Sequence, residues 1–105
     1  MILGGRFNIC PAAGLPPGKF IAANAGGEIV AVFNVDGEFY AISDTCSHAQ
    51  ASLSEGDLDG YQIMCPLHGA EFDVRSGKAL TFPATSPVES FPIEVEDGDL
   101  IVTIP

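Results

Sequence analysis

The sequence predicts an all-β domain, a small antiparallel barrel or sandwich, and three observations carry that prediction. Apolar and polar residues alternate with period two over short runs. Asp-Gly or Ser-Gly dipeptides punctuate those runs. Gly 12 and Pro 8 in 105 residues leave no long segment with a 3.6-residue repeat. The chain has the length of one domain, taken as residues 1–105, without internal repeat or linker.

Along the chain, Phe7–Cys10 and Lys19–Ala22 are expected strands, separated by the breakers Pro11, Pro16, Pro17 and Gly18. Glu28–Val35 and Glu38–Ile42 flank Asp36-Gly37, a strong type I′ hairpin signal. One helical turn is expected near Ala49–Leu53. Asp59-Gly60 links the run Asp57-Leu58 to Tyr61–Cys65, and Ser76-Gly77 turns Glu71–Val74 into Lys78–Leu80. Asp97-Gly98 joins Pro92–Glu96 to Asp99–Ile104. Phe7, Phe20, Phe33, Phe39 and Phe91 read as core, and Cys10 as a small buried hydrophobe. In Ile93-Glu94-Val95-Glu96 the acids alternate with apolar residues, as on the solvent face of a half-buried strand.

Charge narrows the function classes. Four basic residues against fourteen acids give a net charge of -10. Such a chain repels phosphate backbones and anionic membrane surfaces alike. The acid is lopsided: residues 1–52 hold two cations and four acids, residues 53–105 two cations and ten acids. A partner attracted to that surface would be basic. No stretch approaches the roughly eighteen apolar residues of a membrane span. The start, Met-Ile-Leu-Gly-Gly-Arg, lacks a signal-peptide pattern, so a cytoplasmic location is expected. Three cysteines are no disulfide framework at this size.

Four of the five Cys and His residues fall into two tight clusters, Cys46-Ser47-His48 and Cys65-Pro66-Leu67-His68, with sixteen residues between His48 and Cys65. Both lie in turn-rich loops flanking the Asp59-Gly60 hairpin, which can bring them face to face. Thiolate and imidazole are soft and borderline metal donors, and two of each fill a four-ligand set. Structural zinc sites usually pair cysteine with cysteine and histidine with histidine. Here each loop supplies one of each, which suits a binuclear centre with two cysteines on one iron and two histidines on the other.

At these residues the sequence resembles the Rieske iron–sulfur proteins, whose motif C-x-H-x₁₆-C-x₂-H is matched by Cys46, His48, Cys65 and His68. The likeness runs on through Ser52–Gly56 and Cys65–Asp73 to Ser76-Gly-Lys78, and covers roughly residues 26–104. It implies the Rieske fold: a small antiparallel β-sandwich or barrel base with an inserted cluster-binding β subdomain over about residues 43–84. It implies one 2Fe-2S cluster held by Cys46, His48, Cys65 and His68, with the cysteines on the buried iron and the histidines on the outer one. Around it, Gln50 and Leu67 would shield the cluster and supply backbone N–H donors. Gly69 would allow close backbone approach, and Pro83 matches the proline loop that covers the cluster in the family.

Two thiolates bring two ferric ions and two sulfides to a formal charge of zero, two units less negative than an all-cysteine site. Electron uptake is therefore easier, in a window of about −150 to +300 mV. Quinol-oxidising members of the family add a disulfide, whose cysteines would align with Ala51 and Leu67, and hydroxyl donors, which would align with Ala70 and Phe72. All four features are missing here. The remaining resemblance is to the ferredoxin component of bacterial aromatic-ring-hydroxylating dioxygenase systems. It implies a soluble, monomeric carrier of one electron from an NAD(P)H-dependent flavin reductase to a terminal Rieske non-haem iron oxygenase, with no catalysis of its own. With both histidines used as ligands, none remains for an oxygen-activating iron site. Two alternatives stand beside this reading: a Rieske-like small subunit of a nitrite reductase, and a structural zinc-binding interaction module.

Overall fold

The computed structural model describes residues 4–47, 51–67, 69–81 and 86–105. Among the described residues, ten strands form three antiparallel sheets. The first contains β1 (Gly5–Pro11), β10 (Asp99–Ile104) and β9 (Ile93–Glu96) in the order β1-β10-β9. The second contains β2 (Phe20–Ala25), β3 (Glu28–Val35), β4 (Glu38–Ser43) and β8 (Ser90–Phe91) in the order β2-β3-β4-β8. The third is the meander β5 (Asp57–Asp59), β6 (Gln62–Met64) and β7 (Glu71–Asp73). Among the described residues no helix is long and apolar enough to cross a membrane.

The second sheet is the middle layer, and β3 shows why. Its residues Val30 to Val35 are all buried, so both faces are covered. Val30 and Val32 pack with Leu15, Ala41, Leu100 and Val102 against the first sheet. Ala31, Phe33 and Val35 pack with Ile42, Ile63, Phe72 and the two cysteines Cys46 and Cys65 on the other side. A strand with apolar residues on both faces belongs between two layers. The β3 run therefore sets the third sheet, and the loops it carries, against one face of the middle layer.

Two of the three Asp-Gly hairpins fold as expected. Asp36 and Gly37 have φ of 53° and 91°, and Asp97 and Gly98 of 52° and 82°, the paired positive φ of a type I′ turn. At the third hairpin the expected register is off by one: Asp59 pairs with Gln62, so the two loop residues are Gly60 and Tyr61. Gly60, with φ of 61°, takes the first central position, where a type II′ turn wants glycine. The expected helical turn is a 3₁₀ turn at Leu53–Glu55; Ala49 and Gln50 lie outside the described residues.

Pro11 closes β1, as expected of a breaker after Cys10. Two other expectations need correction. Cys10 is only partly buried, beside a register irregularity between Asn8 and Cys10. In β9, Val95 is 52% exposed, so the strand buries no continuous apolar face. Its acids are not simply solvated either. Arg6 reaches across β10 to Glu94 at 2.6 Å and also to Glu96.

Candidate metal centre

Two loops carry the cysteines, and both are closed in the same way. The Cys46 N–H donates to the Ala51 carbonyl at 3.0 Å, and the Cys65 N–H to the Ala70 carbonyl at 2.7 Å. Each bond encloses four residues, and each enclosed tetrad contains one of the two histidines of the chain. The first loop leaves the end of β4, and an antiparallel bridge between Thr45 and Ser52 holds its base. The second joins β6 to β7, whose pairing Met64↔Glu71 brings its ends together.

Several residues make the first loop possible. Asp44 is buried, and its Oδ1 accepts from the Ser54 N–H at 2.8 Å while its own carbonyl accepts from Leu53 N–H at 2.7 Å. Gly56 then passes under β6: a Cβ there would lie 1.8 Å from the Met64 carbonyl oxygen, so no other residue fits without backbone movement. In the second loop Gly69 has φ of 73°, a left-handed conformation that glycine adopts without strain. Among the described protein atoms, an added Cβ there would meet only Met64 Sδ, at 4.0 Å.

The loops bring the two sulfurs together. Cys46 and Cys65 are 3% and 1% exposed, and their side chains are hydrogen-bonded to one another. No disulfide joins them. Burial pushes the Cys65 thiol above its ordinary value; the Leu67 N–H, donating to the sulfur, pulls it back, and the neighbouring Cys46 sulfur pushes it up further. The Leu67 side chain is 43% exposed. Ala70 and Phe72 are fully buried behind it and offer no hydroxyl.

Two adjacent buried sulfurs, one already facing an amide N–H, fit a thiophilic metal. Both can lose their protons only if a cation replaces them, and the N–H supplies the kind of outer hydrogen bond that tunes such a centre. Of the residues expected at the site, Cys46, Cys65, Leu67, Gly69 and Ala70 are thus placed. His48, His68, Gln50 and Pro83 lie outside the described residues. Asp44 and Gly56 were not legible as site residues. Their partners are Ser54, in the following turn, and the backbone of Met64, and no local pattern announces either contact.

Comparison with known proteins identifies the family. The family described as Rieske [2Fe-2S] domain matches residues 5–92. The chain belongs to that family. The Rieske cofactor is one 2Fe-2S cluster, and the paired thiols are suited to it. The 3-phenylpropionate/cinnamic acid dioxygenase ferredoxin subunit of Escherichia coli (strain K12) is 46% identical over 101 residues, covering 95% of this chain and 94% of its own. A chain in the complex of reduced oxygenase and oxidized ferredoxin in carbazole 1,9a-dioxygenase is 41% identical, with a TM-score of 0.89 and coverage of 93% and 92%. The ferredoxin of carbazole 1,9a-dioxygenase from Nocardioides aromaticivorans IC177 is 32% identical, with a TM-score of 0.92 and coverage of 95% and 98%. A nitrite reductase small subunit from Mycobacterium tuberculosis is 23% identical at a TM-score of 0.84, a likeness of Rieske fold alone.

Proposed function

We propose that this chain is the Rieske ferredoxin component of an aromatic-ring dioxygenase system, carrying one electron from an NAD(P)H-dependent flavin reductase to a terminal Rieske oxygenase. In this reading the chain is a single domain whose cluster-binding subdomain spans about residues 43–84. It works as a monomer in the cytoplasm, away from membranes and nucleic acid. Cys46, His48, Cys65 and His68 hold the cluster, and Gln50, Leu67, Gly69, Ala70 and Pro83 surround it.

The pairing of two buried cysteines by identically closed loops is the observation that supports this most. When bound, the cluster supplies a one-electron store whose potential its ligands and hydrogen bonds set. The protein's part is to hold that store and expose one side of it. Cys46 and Cys65 lie on the core side, among Leu53, Ile63 and Phe72. In this reading His48 and His68 hold the outer iron, from which an electron leaves. Leu67, exposed between Cys65 and His68, offers a small apolar contact there. Brief, weak contacts under about 1,200 Å² suit a carrier that must release each partner quickly.

The test is chemical analysis followed by turnover. The purified protein should be red-brown, with two irons and two acid-labile sulfides per chain, and should couple NADH oxidation by a flavin reductase to an oxygenase. Cys46→Ser and Cys65→Ser should each lose the colour. One stoichiometric zinc with no visible absorption would end the reading.

A further inference from the structure

The segment 86–89, which leads into β8, is held at three points that belong to three different parts of the chain. The Ser47 hydroxyl donates to the Ser86 carbonyl at 2.6 Å. The Val88 N–H donates to the Gly77 carbonyl at 2.9 Å, and the Ser43 N–H to the Glu89 carbonyl at 2.8 Å. At Gly77 the fit is tight enough that an added Cβ would lie 2.0 Å from the Val88 carbonyl oxygen. The segment is thus a strap. It runs from the cysteine loop, past the Gly77 turn, to the end of β4.

The strap has an inside and an outside. Ser86 and Pro87 are exposed, but Val88 is buried in the same apolar cluster as Cys46 and Cys65. In the Cys46 loop the pattern is the reverse of a buried stretch: Thr45 and Ser47 are exposed, and Cys46 between them is not. Cover for that sulfur therefore comes from other parts of the chain, and Val88 belongs to the buried cluster that supplies it. Two of the three strap anchors are backbone–backbone bonds. The third is a side-chain hydroxyl on the residue next to Cys46.

We propose that Ser47 is a positioning residue for the iron–sulfur centre: its hydroxyl clasps the 86–89 strap to the cysteine loop and so keeps water away from the Cys46 sulfur. This rests on the reading that Cys46 is a cluster ligand. With the clasp open, water reaches the Cys46 side. Water favours the more negative, reduced state of a centre that is neutral when oxidised, and it also speeds attack on the iron–sulfur bond.

The experiment compares wild type, Ser47→Ala and Ser47→Thr as cluster-loaded proteins. The Thr variant keeps the hydroxyl, and the exposed position leaves room for its methyl group. Three quantities are read: the rate at which a chelator bleaches the oxidised protein, the midpoint potential, and the solvent-deuteron coupling of the reduced centre. Ser47→Ala should bleach about three- to tenfold faster, the scale of one net hydrogen bond. Its potential should move upward and its deuteron coupling strengthen, while Ser47→Thr returns all three to wild type. A general loss of stability would speed bleaching without moving the potential or the coupling, and that pattern overturns the proposal. So does a Thr variant that behaves like the Ala variant. A wild-type protein with no iron or sulfide would instead sink the ferredoxin reading itself.

Discussion

In the Cys46 loop and in the Cys65 loop alike, a cysteine N–H reaches an alanine carbonyl five residues on, at 3.0 and 2.7 Å. The two are anchored very differently. The first is braced from several directions: Thr45 pairs with Ser52, buried Asp44 ties to Ser54 and Ile29, and Ser47 reaches the strap at Ser86. The second hangs from the β6–β7 hairpin, turns through Gly69 at positive φ, and leaves Leu67 exposed at its tip. One backbone device thus serves two purposes. The braced loop fixes a sulfur against the core, whereas the hanging loop carries its sulfur on a hairpin with an exposed apolar tip.

The sharpest way to break this comparison is to make the loops chemically identical to all-cysteine ligation one at a time. If His48 and His68 hold the outer iron as proposed, His48→Cys and His68→Cys each add a negative charge beside it. Each should lower the midpoint potential by roughly 100 mV, part of the gap between Rieske centres and plant-type ferredoxins near −400 mV. If the loops are equivalent at the metal, the two shifts agree, as read by redox titration of the visible spectrum. Unequal shifts, or a variant that holds no cluster, would show that loop bracing also governs ligation.

A smaller effect separates the inner walls. Behind the Cys65 loop stand fully buried Ala70 and Phe72, with no hydroxyl for a cluster sulfur. The wild-type potential should therefore lie near the low limit of the Rieske window, about −150 mV. Ala70→Ser with Phe72→Tyr should raise it by tens of millivolts to about 100 mV, since the two hydrogen bonds together contribute about 1–3 kcal/mol net and tenfold in a one-electron couple is about 59 mV. A wild-type value above zero would contradict the argument.

What the sequence revealed, and what it hid, divides along the same line between short-range and long-range order. The turns at Asp36-Gly37 and Asp97-Gly98 were legible because two successive positive φ values demand residues of that kind locally. The paired Cys and His were legible because metal ligation fixes residue type and spacing. The brace around the Cys46 loop was not. Asp44 with Ser54, Gly56 beneath Met64, and Ser47 with Ser86 are contacts set by how layers stack. The one-residue error at Gly60-Tyr61 has a similar cause: Leu58, Ile63 and Phe72 must all face the core, and that register outweighed the local Asp-Gly signal.

Surface charge is just as unequal. The outer face of the third sheet sets Asp57, Met64 and Glu71 in one row and Asp59, Gln62 and Asp73 in the next. Glu55 stands exposed beside it, whereas the carboxylate nearest Cys46 in the chain, Asp44, is buried. Association with a basic partner through this face should be steered by charge, by up to about 10- to 1,000-fold at low salt. Stopped-flow reduction by the reductase should slow as salt shortens the screening length from about 30 Å at 0.01 M to about 3 Å at 1 M. Glu55→Lys or Glu71→Lys should flatten that dependence. A rate flat in salt and unmoved by either reversal would leave docking to apolar contact around Leu67.

The smallest effect concerns what keeps the third sheet in place. Arg75 forks onto Asp73, with Nε 3.1 Å from Oδ1 and Nη2 2.9 Å from Oδ2, and lies 4.1 Å over the Tyr61 ring. Tyr61 in turn meets Tyr40 of the middle layer edge-on at 5.9 Å. The Arg75 guanidinium holds the Asp73 carboxyl below the usual carboxylate range. A depressed carboxylate contributes stability that is complete above its unfolded pKa, about 3.9, and fades as pH falls through that value and then through the lower folded one. The urea midpoint of the wild type should therefore fall on acidification below about pH 4 more steeply than that of Arg75→Met, which never had the pair to lose. Because Arg75 is exposed and screened, the difference should be small and should shrink further with salt. Parallel curves for the two proteins would mean that the fork adds no ion-pair stability, and that packing of Arg75 on Tyr61 and of Tyr61 on Tyr40 holds the hairpin bearing the Cys65 loop against the middle layer.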